Sequence, residues 1–314
     1  MAPHRIDTHH HIFPTGYLAA ERERILGVSP RLAGELLAWS PSRAVEAMDQ
    51  AGIATSITSI SAPGVWFGDA AASRRLARLC NDFAADMARD HKGRFGVFAA
   101  LPLPDVDGSL AEIDYAFGTL GVDGIGLVTN FADLWPGDPA VAPVFDELNR
   151  RKAVVYFHPT AATCCANLLP GIHAPVVEFA FDTTRAILSL LANGTFARCP
   201  DIRFIFSHGG GTLPMLFGRI ATVLKGLPDA MKHYPAGIIP EFKKLYYDVV
   251  SVIDPVSFTA MCQMAGIPRL LFGSDYPYWS TEANVTALDA QSLSPADRRA
   301  VERDNAVRLF PRFA

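Results

Sequence analysis

Short, nearly continuous apolar runs recur along the chain, and stretches with helical spacing of their apolar residues separate them. Val154-Val155-Tyr156-Phe157 and Phe204-Ile205-Phe206 are the clearest runs. Lack of polar alternation suits parallel strands covered on both faces. Eight strands are predicted, over residues 5–8, 53–61, 94–101, 122–129, 153–157, 202–207, 245–250 and 269–273. Helices are predicted over 42–51, 71–89, 109–120, 140–151, 176–197, 213–224, 256–265 and 282–290. Ser40-Pro41 opens the first as an N-cap with proline behind it, and Gly52 stops it. Ser294-Pro295 repeats that signature before a last helix reaching residue 309. Eight strand–helix alternations without a break in composition predict a (β/α)8 TIM barrel, a single domain over 1–314. An open doubly wound sheet is the competing arrangement. Two connections exceed a simple barrel, 12–39 after strand one and 226–243 before strand seven. Long connections often serve as lids, so each is a candidate to cover a site or to meet a partner subunit.

Half of the 314 residues are hydrophobic and 19% are charged, enough to bury a large core. The formal charge of −4 gives no electrostatic case for nucleic acid or an anionic membrane. Five cysteines without a CxxC pattern argue against a disulfide framework and for a reducing compartment. No signal-peptide core and no membrane-spanning apolar run is present, so a cytoplasmic protein is expected.

Candidate chemistry collects at predicted strand ends. His9 and His11 alternate onto one face of strand one, while His10 points the other way. His158 ends strand five, His208 ends strand six and Asp275 ends strand eight. Barrel enzymes carry their reactive groups at these C-terminal ends, so four of the nine histidines and one aspartate converge on one rim. Three imidazoles and a carboxylate leave a coordination position open for water or substrate. This nitrogen-rich set suits one Zn²⁺, with Mn²⁺, Fe²⁺ or Co²⁺ as alternatives. His208 is the histidine least needed as a ligand, and imidazole is the side chain best suited to proton transfer near neutral pH. Glycines 209–211 would let backbone approach a ligand closely.

The ordered motifs Asp-x-His-x-His at 7–11, His158-Pro159, Ser-His-Gly-Gly-Gly-x-Leu-Pro at 207–214 and Gly-Ser-Asp-Tyr-Pro at 273–277 resemble those of the amidohydrolase superfamily. More narrowly, they are similar to the aminocarboxymuconate-semialdehyde decarboxylase branch, which includes the 6-methylsalicylate, γ-resorcylate and 5-carboxyvanillate decarboxylases. The resemblance implies an amidohydrolase-like barrel with His9, His11, His158 and Asp275 as ligands of one divalent metal. It implies His208 as the acid–base group, and a homodimer. Strand four offers no lysine for the carbamate bridge of binuclear members, so the site is expected to be mononuclear. Gly211 stands where some members carry a glutamate, and His9 stands where others carry one. Both departures point away from γ-resorcylate decarboxylase itself.

Trp66 and Phe67 follow strand two, and Tyr276, Tyr278 and Trp279 follow strand eight, as candidate walls for an aromatic substrate. The function expected is metal-dependent, non-oxidative decarboxylation of a small salicylate-type or enol acid, with Asp275 as proton shuttle and His208 as its support. A hydrolase of a lactone, ester or amide is the alternative, and a non-catalytic ligand-binding barrel is the third reading. Asp7 and Asp182 are polar residues near the predicted site, Asp7 as organiser of the first strand.

Overall fold

The computed structural model describes residues 4–132, 134–165, 168–226 and 228–314. The opening residues 1–3 and Leu227 of the second long connection lie outside the described residues. Eight strands pair in chain order, all parallel: β1 (Arg5–His11), β2 (Ile53–Ser59), β3 (Phe95–Ala100), β4 (Gly124–Val128), β5 (Val154–His158), β6 (Arg203–Phe206), β7 (Tyr246–Asp248) and β8 (Leu270–Leu271). Hydrogen bonds from Thr8 N to Phe272 O and from His11 N to Tyr276 O join the last strand to the first. The ring therefore closes, and the open doubly wound sheet is excluded.

Local chemistry explains where the helices begin. Ser40 caps Pro41–Gln50 by accepting from Arg43 N, as its sequence predicts, and Ser294 caps Pro295–Arg299 in the same way. Asp69, Asp105 and Asp254 cap three further helices with their carboxylates, satisfying backbone N–H groups that have no partner inside the helix. The helix predicted over 176–197 is broken. It runs Glu178–Ala192, and a short helix Thr195–Arg198 follows Gly194 at φ 70°. That left-handed turn needs glycine, and it ends the longer helix although the apolar spacing continues to Phe196.

The core has two layers. Ile6, Ile57, Phe98, Val154, Tyr156, Ile205 and Leu271 fill the barrel's interior, with Leu309 and Phe310 of the last helical segment beneath them. The outer layer lies between strands and helices.

The two long connections behave differently. Residues 12–39 hold the helices Thr15–Val28 and Ala33–Leu37 and pass over the C-terminal rim, where buried Tyr17 donates to Gly64 O. The described residues of 226–243 do not cover the site. They lead from a helix into β7 and so belong to the opposite end of the barrel, where Tyr234 donates to Leu191 O.

Candidate metal centre and active-site cavity

β1 carries an irregularity that decides where its histidines face. Asp7 pairs with Ser56 and His10 with Thr58, so Thr8 and His9 stand opposite Ile57 alone. Such a bulge shifts the alternation by one residue. Ile6 and His9, three apart, thereby both face the barrel axis. Asp7 and His10 both face outward, where His10 Nδ1 lies 3.0 Å from Asp7 Oδ2 and the ring stacks on Tyr276. Asp7 also accepts from His9 N, Ser274 N, Ser274 Oγ and Ser56 Oγ. One buried carboxylate thus ties the end of β1 to the segment carrying Asp275.

Three imidazoles share one hydrogen-bonding pattern. His9 Nδ1 lies 2.9 Å from Asp248 Oδ2, His158 Nδ1 2.9 Å from Pro159 O, and His11 Nδ1 3.4 Å from Ser59 O. Each partner oxygen accepts, which assigns a proton to each Nδ1 and turns each Nε2 inward as a donor to a cation. His9 Nε2 and His11 Nε2 are 3.0 Å apart, and Asp275 Oδ1 is 3.1 and 3.0 Å from them. Ligand atoms about 2.1 Å from one ion and at right angles lie about 3.0 Å apart. The His158 ring sits beside both, its centroid 5.2 Å from that of His9 and 4.6 Å from that of His11. Ligand atoms of His9, His158, His208 and Asp275 all lie within 4.8 Å of one another.

The donor set fits a divalent ion on a test independent of its residue types. Asp275 Oδ1 is buried and takes no hydrogen bond, although two imidazole nitrogens face it. An acceptor held against lone pairs is costly to bury unless a cation lies between them. Electrostatics agree. Burial alone would lower the pKa of His9, but the charges of Asp248 and Asp275 outweigh it and lift it to about 10. Burial pushes His11 down to about 4 and His158 well below its ordinary value. Burial also opposes ionisation of Asp275, yet positive charge on His9 and the imidazole nitrogens of His11, His208 and His9 beside it hold its pKa well below the carboxylate range. One positive charge is favoured among these groups, and two are not.

Asp275 is divided between two tasks. Its Oδ1 meets the imidazole pair, while its Oδ2 lies 3.3 Å from His208 Nε2. His208 is held by its backbone N–H, which donates to Asp248 Oδ1 at 2.9 Å. Both residues have positive φ, 52° for His208 and 56° for Asp275. Left-handed backbone outside glycine costs about 1–3 kcal/mol, and it persists here where two side chains must turn into one space. The glycines behind His208 serve packing: a Cβ on Gly211 would lie 2.1 Å from Ala180 O, and one on Gly210 2.8 Å from the Tyr247 ring.

His158, His208 and Asp275 floor a cavity of about 580 Å³, and Tyr278, Trp279, Phe179 and Val252 wall it. His9 and His11 lie beneath this floor, fully buried. The connection after β1 contributes Val28–Leu32 to the roof. Tyr278 also hydrogen-bonds Ser61 Oγ at 2.9 Å and meets the His11 ring edge-on. The other aromatics expected here lie elsewhere. Trp66 and Phe67 line a neighbouring cavity of about 490 Å³ over β2–β5, beside Arg24, because the turn after β2 carries them sideways along the rim. Tyr276 follows Asp275 and faces outward onto His10, lining a groove with Arg43 and Glu46. Asp182 is buried away from the histidines and accepts from Thr129, Asn130 and Trp135, fastening the loop after β4. Sequence reasoning missed Asp248, which holds both His9 and His208. Its signal was a carboxylate inside the apolar run Leu245-Tyr246-Tyr247-Asp248-Val249-Val250.

Eight parallel strands gathering histidines and a carboxylate at one rim define a class of barrel with a candidate metal centre. The chain belongs to the amidohydrolase family, whose profile matches residues 6–312. It is 34% identical to the decarboxylase yanB of Aspergillus niger, covering 98% of this chain and 88% of that one. It is 31% identical to the 6-methylsalicylic acid decarboxylase of Penicillium expansum, covering 98% and 97%. Among solved structures, a dihydroxybenzoic acid decarboxylase from Polaromonas sp. JS666, with bound manganese and the inhibitor 2-nitroresorcinol, superposes with a TM-score of 0.87. It is 25% identical, and the match covers 99% of this chain and 97% of that one. No helix among the described residues is long and apolar enough to cross a membrane.

Proposed function

We propose that this chain is a divalent-metal-dependent, non-oxidative decarboxylase of a small hydroxylated aromatic acid of the salicylate type. The observation that carries the reading is the split of Asp275, with one oxygen in the imidazole cluster and the other on His208 at the cavity floor. The relatives' substrates support it. His9, His11, His158 and Asp275 would hold the ion, which supplies Lewis acidity toward a carboxylate and its ortho-hydroxyl when bound. The nitrogen donors favour Zn²⁺, and the manganese of the Polaromonas enzyme makes Mn²⁺ the rival.

The protein's own groups do the rest. Tyr278 and Phe179 bound the ring, and Val28–Leu32 of the connection 12–39 line the same cavity. A carboxyl held well below its usual pKa does not store a proton but passes one on, so Asp275 Oδ2 relays and His208 resupplies. Protonation at the carbon bearing the carboxylate comes first. The carbon–carbon bond then breaks, its electron pair restores the aromatic ring, and CO2 leaves. A cytoplasmic homodimer is consistent with the five cysteines and the resemblance; sedimentation of the purified protein tests the dimer.

Incubation of metal-loaded protein with 2-hydroxybenzoic acids under argon should release CO2 without consuming oxygen. Turnover of lactones, esters or amides without CO2 would make it a hydrolase instead, and metal binding without either would leave a binding barrel. His158→Ala should lose metal on purification; full occupancy in that variant would remove His158 from the ligand set.

A further inference from the structure

The cavity is far larger than its proposed reaction needs, and the surplus is apolar and leads outward. A monocyclic hydroxy acid occupies only a fraction of about 580 Å³. Val28, Ala62, His173 and Phe179 wall both this cavity and a second one of about 380 Å³. The second cavity carries Leu168, Leu169 and Ile172, exposed by 60%, 51% and 49%. At the mouth of the first stand Val176 and Trp279, exposed by 68% and 54%. Five of the twelve large exposed hydrophobic residues among those described thus follow one path from the Asp275–His208 floor. Scattered apolar side chains are ordinary on a surface, but a contiguous set joined to a site marks a binding groove. The second cavity also holds Arg24, Thr160 and Glu178, too few polar groups to recognise a polar substituent along its whole length.

Resting on the decarboxylase reading, we infer that the groove is a subsite for an aliphatic tail, and that the preferred substrates are hydroxybenzoic acids bearing an alkyl chain of several carbons. The head is fixed at the floor by its carboxylate and hydroxyl. The tail passes Phe179 and Val28 and lies against Leu168, Leu169 and Ile172. Hydroxyl groups in place of the tail gain nothing from Leu168, Leu169 and Ile172.

The test is a ladder of 2-hydroxybenzoic acids bearing methyl, propyl, pentyl or heptyl at ring position 4, 5 or 6, assayed by CO2 release with metal-loaded protein. At one ring position kcat/KM should climb by about twofold to fourfold per CH2, fourfold being the ~0.8 kcal/mol of a fully buried methylene. In Leu169→Asp, the ratio of kcat/KM for the heptyl acid to that for the methyl acid should collapse toward one. Turnover of the methyl acids with flat or falling kcat/KM at all three positions would overturn the inference while leaving the decarboxylase reading standing. Absence of CO2 from every acid would overturn both. If the ladder is flat and Leu169→Asp instead turns a dimer into a monomer, the groove is an interface between two copies.

Discussion

The two ends of the same eight strands follow opposite rules. At the N-terminal end, Phe98 stacks on Tyr156 and meets Phe310 edge-on, with centroids 5.1 and 5.7 Å apart. The charged groups nearby are paired: buried Glu302 takes Arg5 and His4, and Arg312 holds Asp123. At the C-terminal end, charged groups crowd within hydrogen-bonding distance, Asp275 Oδ1 has no donor, and four described non-glycine residues, Ala132, His208, Ser251 and Asp275, accept left-handed backbone, against Lys152 at the other end. Tyr156 marks the border, with Phe98 on one side and His9 on the other. One end lowers the energy of the fold, and the other spends some of that stability to hold a geometry.

The sharpest way to break this contrast is Asp275→Asn. It should cut kcat by about 10²–10⁴-fold, the range for losing a general acid–base group, with the circular dichroism spectrum unchanged. A variant that keeps full activity would remove Asp275 from the chemistry. Phe98→Ala, at the other end, should cost about 3–5 kcal/mol in urea unfolding while kcat per folded, metal-loaded molecule stays the same. A loss of kcat would show that the ends are not separable.

Asp248→Asn tests the support beneath the site. Losing the carboxylate that orients His9 should weaken metal binding by about 10–100-fold, read by competition with a chelating dye. The smallest effect is one of pH. His9 is lifted to about 10 whereas His11 lies near 4, so at pH 7–9 each ion should displace one proton, not three. Calorimetry in two buffers of different ionisation enthalpy counts it, and apparent affinity should rise by at most about tenfold per pH unit. The folded pKa of His9 lies above its unfolded value of 6.5, so its contribution to the metal-free fold is complete below that pH. It is lost as pH rises through 10, and the metal-free Tm should fall across this window.

Much of this was legible in the sequence, for definable reasons. Parallel strands covered on both faces read as apolar runs, and barrel geometry places strand ends on one rim, so Asp275 and the histidines could be gathered without coordinates. The apolar pattern ends the first strand at residue 8 because histidines are polar, yet Arg5–His11 is one strand whose buried rings have partners. Azimuth around the rim was not legible. Trp66 and Phe67 sit beyond a strand end, as predicted, but over the neighbouring cavity. Tyr276 is one residue from Asp275, and that single step turns it to the other side. Asp248 went unnoticed because its partners, His9 and His208, are 239 and 40 residues away in sequence.

The extra residue in β1 has a consequence for anyone who would move this centre into another scaffold. Copying the motif at 7–11 onto a regular strand would point either Ile6 or the His9–His11 pair away from the axis. Straightening the native bulge with Thr8 kept in place would do the same from within: the barrel could still zip up, with its imidazoles delivered to the helical jacket. What must be transplanted is a phase shift in the backbone, and the histidines are its passengers.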